Sequence, residues 1–239
     1  MTVSDWCYTA VIAAGLLIDQ LSWPAFLRRS QHDQASARIW LWSVWMILQW
    51  AMVAVGIALW LSHERAWLTL GITLPRGWRL WGSVILVVGF ALQQVRTAAR
   101  VARISGPKPR MRAQLGELSI ALPHTSDELR WFVALSLTAG FCEEFLFRGY
   151  LIWVFQPCLG WWGAAALSLP VFAAAHAYQG TAGVIRTGLA GGVFTLLVAL
   201  SGSLVPAIVL HALVDILSGV IAWLVLRDEP TQVGRVIGA

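Results

Sequence analysis

Long apolar stretches succeed one another along nearly the whole chain. A helix that crosses the hydrocarbon core of a bilayer needs roughly 20 mostly apolar residues. Seven segments meet this requirement, at 6–27, 39–61, 78–96, 128–155, 160–178, 182–200 and 204–226. The composition agrees, because only 12% of the residues are charged, against about 25% in soluble domains. The sequence therefore predicts an all-α, polytopic membrane helix bundle.

Lysine and arginine residues are concentrated on one side of these predicted spans. The segments 28–38 and 96–130 and the tail after the last span hold most of them, whereas the opposite side has Arg65, Arg76 and Arg79. Basic loops stay in the cytoplasm. We therefore expect a multi-pass protein of the cell (inner) membrane, with its N-terminus outside and its C-terminus cytoplasmic. The same signal explains the net charge of +5, so the expected partner is the lipid bilayer and no nucleic acid.

Ionisable residues divide the predicted spans into two groups. The three N-terminal spans, within 1–96, are rich in tryptophan and have almost no ionisable residue that would be buried. A basic cytoplasmic connector, 97–127, includes the stretch MRAQLGELSIAL, which is either an interfacial amphipathic helix or an ordinary loop. We expect the four spans of 128–226 to form a catalytic four-helix core, followed by a cytoplasmic tail at 227–239.

Burial of charge is the strongest constraint on the C-terminal spans. An ionisable residue at the bilayer centre costs roughly 2.5–3.5 kcal/mol, so six unpaired ones would cost on the order of 15 kcal/mol, more than the net stability of most domains. We expect these six residues to meet around a shared, hydrated cavity. They are Glu143, Glu144, Arg148, His176, His211 and Asp215.

The two adjacent glutamates of the stretch GFCEEFLFRGY are expected to have different roles. With about 100° between successive helical residues, Arg148 lies roughly 40° from Glu144 and roughly 140° from Glu143. Glu144 and Arg148 can therefore neutralise each other, which leaves Glu143 to face a reaction site. A purely structural ion-pair lock would explain Glu144 and Arg148 but not Glu143.

Two histidines lie on later helices. His176 follows three alanines, which allow a neighbouring helix to come close. His211 is followed at i+4 by Asp215, a spacing at which the carboxylate can fix the imidazole tautomer or share a ligand with it. One histidine in an apolar helix is usually a structural residue, but two histidines and three carboxylates from three helices indicate a functional site.

This set of side chains allows two hydrolytic routes. Glu143, His176 and His211 match the ligand set of a catalytic zinc site with one open position, so zinc or another divalent metal is one expected cofactor. Without a metal, Glu143 would act as general base on a water while a histidine and Asp215 stabilise the oxyanion. Both routes stay open. A thiol mechanism through Cys142 is disfavoured, because the adjacent glutamate opposes formation of the thiolate.

The alternative is a non-catalytic or transporter-like membrane protein, since chains of Glu, His and Asp across helices also move protons. Transporters of that kind often have duplicated or inverted halves, and the sequence shows none.

Three ordered motifs carry a family resemblance: Glu-Glu-x-x-x-Arg at 143–148, Phe-x-x-x-His at 172–176 and His-x-x-x-Asp at 211–215. They resemble the CPBP (or ABI) family of CAAX-prenyl-protease and bacteriocin-processing intramembrane endopeptidases, over about 125–226. The resemblance implies intramembrane cleavage of a protein or peptide substrate, in its C-terminal region, with Glu143 as general base.

The resemblance also implies that the other motif residues line the same site, namely Glu144, Arg148, His176, His211 and Asp215. Metal dependence is disputed for this family. Many members have Asn at the last motif position, so Asp215 adds a negative charge that must be protonated, paired or bound to a cation.

Overall fold

The computed structural model describes residues 1–227, except for the side chains of residues 16, 17 and 19; these residues form helices and contain no strand. The all-α prediction is confirmed. The predicted cytoplasmic tail lies outside the described residues, apart from Arg227. The α-helices are α1 (Val3–Ser30), α2 (Gln34–Ser62), α3 (Trp78–Ala102), α4 (Pro109–Leu115), α5 (Ser126–Glu143), α6 (Ile152–Ala175), α7 (Gly180–Ser201) and α8 (Val205–Leu226). A π-helical segment, Glu144–Leu151, joins α5 to α6, and 3-10 helices occur at Trp67–Leu70, Gly116–Ala121 and Ala177–Gln179.

Six helical stretches in the described part of the chain are long and apolar enough to cross a membrane. The stretch Ser126–Ala175 has 50 residues and includes the predicted fourth and fifth spans. It is bent at Gly160, whose φ of 67° and ψ of 168° are not helical. Glycine can adopt these angles because it has no side chain. Beyond the bend, the Ser168 hydroxyl donates to the Phe147 carbonyl at 2.7 Å, so the second arm returns along the first. The predicted polytopic bundle is thus confirmed, with two of its spans as arms of one bent stretch.

Helices α5 and α8 cross at close range in the core. A Cβ atom at Gly140 would lie 2.8 Å from both the backbone nitrogen and the Cβ of Ala212, so any larger residue would push the two helices apart. On its other side α5 packs against α2, which packs against α1, while α3 packs against α8. Gly140 lies about one helical turn before Glu143 and Glu144, and Ala212 directly follows His211.

Two ion pairs with buried carboxylates lie where the N-terminal helices meet the rest of the bundle. Asp5 is fully buried and accepts hydrogen bonds from Arg65 at 2.7 and 2.9 Å and from the Tyr150 hydroxyl at 3.1 Å. Arg38 donates to Glu128 at 2.8 Å, and both are buried. Asp5 and Arg38 each lie one residue before a predicted span, 6–27 and 39–61, so the sequence analysis did not identify these buried charges. These charges lie near helix ends, where hydropathy does not show that another part of the chain covers them.

The connector packs onto α2. Its stretch 111–122 is neither one helix nor a plain loop, since α4 ends and a 3-10 helix begins at Gly116, whose φ is 56°. The indole nitrogen of Trp42 donates to the Ala121 carbonyl at 3.2 Å, and Arg38 donates to the Ile120 carbonyl at 3.2 Å. These contacts hold the end of the connector against the core.

Substitution of Gly140 tests whether the α5–α8 crossing limits stability. We expect Gly140→Ala to lower the free energy of unfolding by about 1–3 kcal/mol, as other overpacked sites do. Gly89→Ala is the matched control, because a Cβ there has no neighbour within 4 Å and alanine favours the helix by up to about 1 kcal/mol. Thermal unfolding in detergent followed by circular dichroism measures both. Equal melting temperatures for the two variants would contradict a tight crossing.

Candidate active site

The two adjacent glutamates lie where the backbone changes from α-helix to π-helix. Glu143 is the last residue of α5, and Glu144 begins the π-helical segment. π-helical turns within α-helices are rare and frequent at functional sites. Glu144 is completely buried, whereas the Glu143 side chain is 13% exposed. The change of helix type thus separates a buried carboxylate from one at the edge of a cavity.

Glu144 and Arg148 form the pair that their i,i+4 spacing predicts, at 2.9 Å from Nη1 to Oε1. The guanidinium also donates through Nη2 to the Gly191 carbonyl at 3.0 Å and through Nε to the Thr195 hydroxyl at 3.4 Å. It lies over the Phe172 ring, 4.0 Å from its centre. A side chain on Gly191 would collide with Nη2 of this guanidinium. Arg148 therefore ties the π-helical segment to α6 and α7.

His211 receives its orientation from Glu144. Its Nδ1 is 2.9 Å from Glu144 Oε1, and because an ionised carboxylate only accepts, Nδ1 carries the proton. Nε2 then faces Glu143 Oε2 at 3.8 Å and Asp215 Oδ2 at 3.5 Å. Phe194 stacks on the imidazole, with ring centres 4.6 Å apart. The tautomer is thus set by Glu144 from another helix, and not by Asp215 as the i+4 spacing alone suggests.

Glu143 has one oxygen bound and one free. The Gln49 amide on α2 donates to Glu143 Oε1 at 3.1 Å. Glu143 Oε2 is buried and has no hydrogen-bond partner among the described residues. Sequence reasoning missed Gln49, although a signal existed, since it is a polar amide in the otherwise apolar stretch MILQWAMVAV.

His176 lies at the end of α6. Its Nδ1 donates to the Phe172 carbonyl at 3.0 Å, because a carbonyl only accepts, and this leaves Nε2 for other contacts. The Phe172 ring packs against both histidine rings, with centres 5.0 Å from His176 and 6.1 Å from His211. The two imidazoles are therefore held around one aromatic side chain.

Four of the six predicted residues line a cavity of about 320 Å³, namely Glu143, His176, His211 and Asp215. Glu144 and Arg148 lie behind its wall. Part of the lining comes from the connector, through Leu118, Ala121 and Leu122. Exposed Arg186 also borders this cavity.

A second, mostly apolar cavity of about 330 Å³ lies between α1 and α2. The two cavities share Trp45, Gln49, Glu143 and His176. Glu143 therefore lies where the two cavities meet, of which the first is the more polar.

A comparison with family models matches residues 125–217 to the type II CAAX prenyl endopeptidase Rce1-like family. This segment, which is less than half of the chain, is similar to that family. It includes α5, the π-helical segment, α6, α7 and about half of α8, and hence all six predicted site residues. No curated protein and no solved structure matches the chain.

The family match confirms the resemblance to CAAX-protease-like intramembrane endopeptidases, and this similarity implies protease activity on a protein or peptide substrate. The similarity also agrees with the apolar helices, which indicate a membrane protein.

The positions of the possible donor groups show whether this CAAX-protease-like segment, as arranged, could bind a metal. No three His, Cys, Asp or Glu side chains in the described part of the chain are grouped so that they could hold a metal ion. The predicted set of Glu143, His176 and His211 is included in that finding. As arranged, these residues do not fit a zinc site.

Removal of the guanidinium tests the buried pair. We expect Arg148→Met to lower the free energy of unfolding by about 3–5 kcal/mol, because it leaves the Glu144 carboxylate buried without its cation. Arg130→Met is the matched control, since its ion pair with Asp127 is about 80% exposed and exposed pairs contribute little. Chemical unfolding in detergent measures both. A similar loss of free energy of unfolding in the two variants would show that the buried pair contributes no more to stability than the exposed pair.

Proposed function

We propose that the chain is a membrane-embedded endopeptidase in which Glu143 activates a water for attack on a peptide bond of a membrane-associated protein or peptide. The observation that carries this proposal is Glu143 Oε2, which is buried, unpartnered among the described residues and 3.8 Å from His211 Nε2 at the wall of the cavity. That separation is too long for a direct hydrogen bond and suits a water that contacts both groups.

The electrostatic balance of the site supports a proton on His211. Three carboxylates, of Glu143, Glu144 and Asp215, surround this imidazole, and a single guanidinium offsets them. A proton on Nε2, shared with Asp215, reduces the excess of negative charge. It also provides a donor where an oxyanion would form.

The proposed reaction balances without a further reactant. Glu143 Oε2 takes a proton from the water as its oxygen attacks the carbonyl carbon of the substrate. The tetrahedral oxyanion is stabilised by the His211 Nε2 proton, and His176 lines the same cavity. Glu143 then returns the proton to the amide nitrogen as the carbon–nitrogen bond breaks. The products are a carboxylic acid and an amine, and the acid proton passes to the amine to give a carboxylate and an ammonium group.

The position of the connector indicates the side of the membrane from which substrate enters. Connector residues line the cavity, and the distribution of lysine and arginine places the connector in the cytoplasm. We therefore propose that the site opens toward the cytoplasm of an inner-membrane protein whose N-terminus is outside. Arg186, exposed at the border of the cavity, offers a cation to a substrate carboxylate, which suits cleavage in the C-terminal region of the substrate.

Substitution of the general base tests this function. We expect Glu143→Gln to lower kcat by at least about 10²–10⁴-fold while the protein stays folded, because the amide cannot take the proton. Cys142→Ala is the control for a thiol mechanism and should keep the activity. Cleavage of a fluorescent membrane-peptide library by purified protein measures both. Full activity in the glutamine variant would rule out Glu143 as base, and an inactive wild type would favour the proton-moving or structural alternative.

Chelation tests the contribution of a metal. Because the donor groups do not fit a zinc site, we expect cleavage to continue after exhaustive dialysis against a chelator, with less than one zinc per active enzyme by mass spectrometry. Loss of activity on dialysis, with recovery on addition of zinc, would instead show that the donor groups rearrange around a metal.

A further inference from the structure

The ionisable residues of the proposed site all lie in the family segment 125–217, but a polar side chain that binds one of them comes from outside it. Gln49 lies on α2, outside the matched residues, and its amide nitrogen is 3.1 Å from Glu143 Oε1. It borders both cavities, as Glu143 does. The general base is therefore held by a residue from the N-terminal helices.

The orientation of this amide is determined by chemistry. An ionised carboxylate only accepts hydrogen bonds, so the nitrogen of Gln49 must face Glu143 and the amide oxygen must face away. That oxygen, Gln49 Oε1, is buried and has no hydrogen-bond partner among the described residues. A buried, unpaired acceptor costs about 1–3 kcal/mol. An apolar side chain of similar length would remove this unpaired acceptor but would leave Glu143 Oε1 without its donor, and the two costs are of similar size. Stability therefore gives little reason for a glutamine here.

The hydrogen bond distinguishes the two oxygens of Glu143. Oε1 is occupied by the Gln49 amide, whereas Oε2 faces His211 Nε2. Rotation of the carboxylate would lose this bond, so the amide resists it. We propose that Gln49 is a positioning residue that holds Glu143 with Oε2 toward the water; this inference rests on the proposed function.

Helix α2 is attached firmly enough to position the amide. The Trp50 indole nitrogen donates to the Thr138 hydroxyl of α5 at 3.2 Å, and the Trp50 ring stacks on Phe141. Near the N-terminal ends of the two helices, Arg38 of α2 binds Glu128 of α5. Gln49 thus lies between two other α2–α5 contacts.

Gln49→Met tests the positioning role, because it keeps the length and flexibility of the side chain and removes the donor. We expect kcat to fall by about 10- to 100-fold, since a catalytic group displaced by about 1 Å can cost about 100-fold. KM should change by less than about threefold, as for an interaction that acts in the transition state. The melting temperature should change little, because the variant removes the unpaired Gln49 oxygen and leaves Glu143 Oε1 without its donor. Unchanged kcat, or a loss of kcat matched by a loss of folded protein, would overturn the proposal.

Trp50→Phe is the matched control on the same pair of helices. It removes one α2–α5 hydrogen bond, keeps the aromatic ring and touches neither cavity. We expect a lower melting temperature and a kcat within about twofold of wild type, which is the opposite pattern to Gln49→Met. If both variants lose kcat equally, Gln49 acts only through the packing of α2 on α5, and the positioning role is wrong.

An infrared measurement makes the result independent of proteolysis. The difference spectrum between wild type and Glu143→Gln isolates the carboxyl bands of Glu143. These bands should shift in Gln49→Met and stay in place in Trp50→Phe. Absence of a shift overturns the role of Gln49 whether or not the chain cleaves peptides, whereas a shift in a protein with no cleavage would contradict the proposed function alone.

Discussion

One carboxylate oxygen holds the site together. Glu144 Oε1 accepts both from Arg148 and from His211, and the side chain is completely buried. A carboxylate without partners would be too costly at this depth, so its two partners must stay in place. Arg148 in turn binds the backbone of α7, and His211 belongs to α8. The orientation of three membrane helices therefore depends on this shared oxygen.

Glu143 differs from Glu144 in its surroundings because of the local backbone geometry and the side chains around it. The π-helical segment begins between the two residues, and the α5–α8 crossing at Gly140 brings α8 within reach of both. Glu144 binds Arg148 and His211 through Oε1 and does not line the cavity, whereas Glu143 does. Each glutamate has a second oxygen that is buried and without a hydrogen-bond partner among the described residues, but only that of Glu143 belongs to a residue at the cavity wall. Two identical side chains in sequence thus acquire separate tasks, one as anchor and one as proposed base.

The N-terminal helices, which the family match does not reach, contribute more than a membrane anchor. They bury two ion pairs against the core, and α2 brings an amide to the proposed base. They also form most of the apolar cavity beside Glu143. Hydropathy and charge counting could not find these contacts, because both assign each residue to a span or a loop without showing which residues meet across helices.

The sequence by itself determined the all-α membrane architecture, the approximate positions of the spans and which six ionisable residues lie within the C-terminal spans. It could do so because apolar length and the cost of buried charge are local properties. It also determined the Glu144–Arg148 pair, which lies within one helical turn. Only the tertiary structure decided that Glu144 rather than Asp215 orients His211, that Gln49 binds Glu143, and that the predicted zinc ligands are not grouped as a metal site. These outcomes depend on which side chains come within a few ångströms of each other where helices cross. The spacing of residues along a single helix does not determine this.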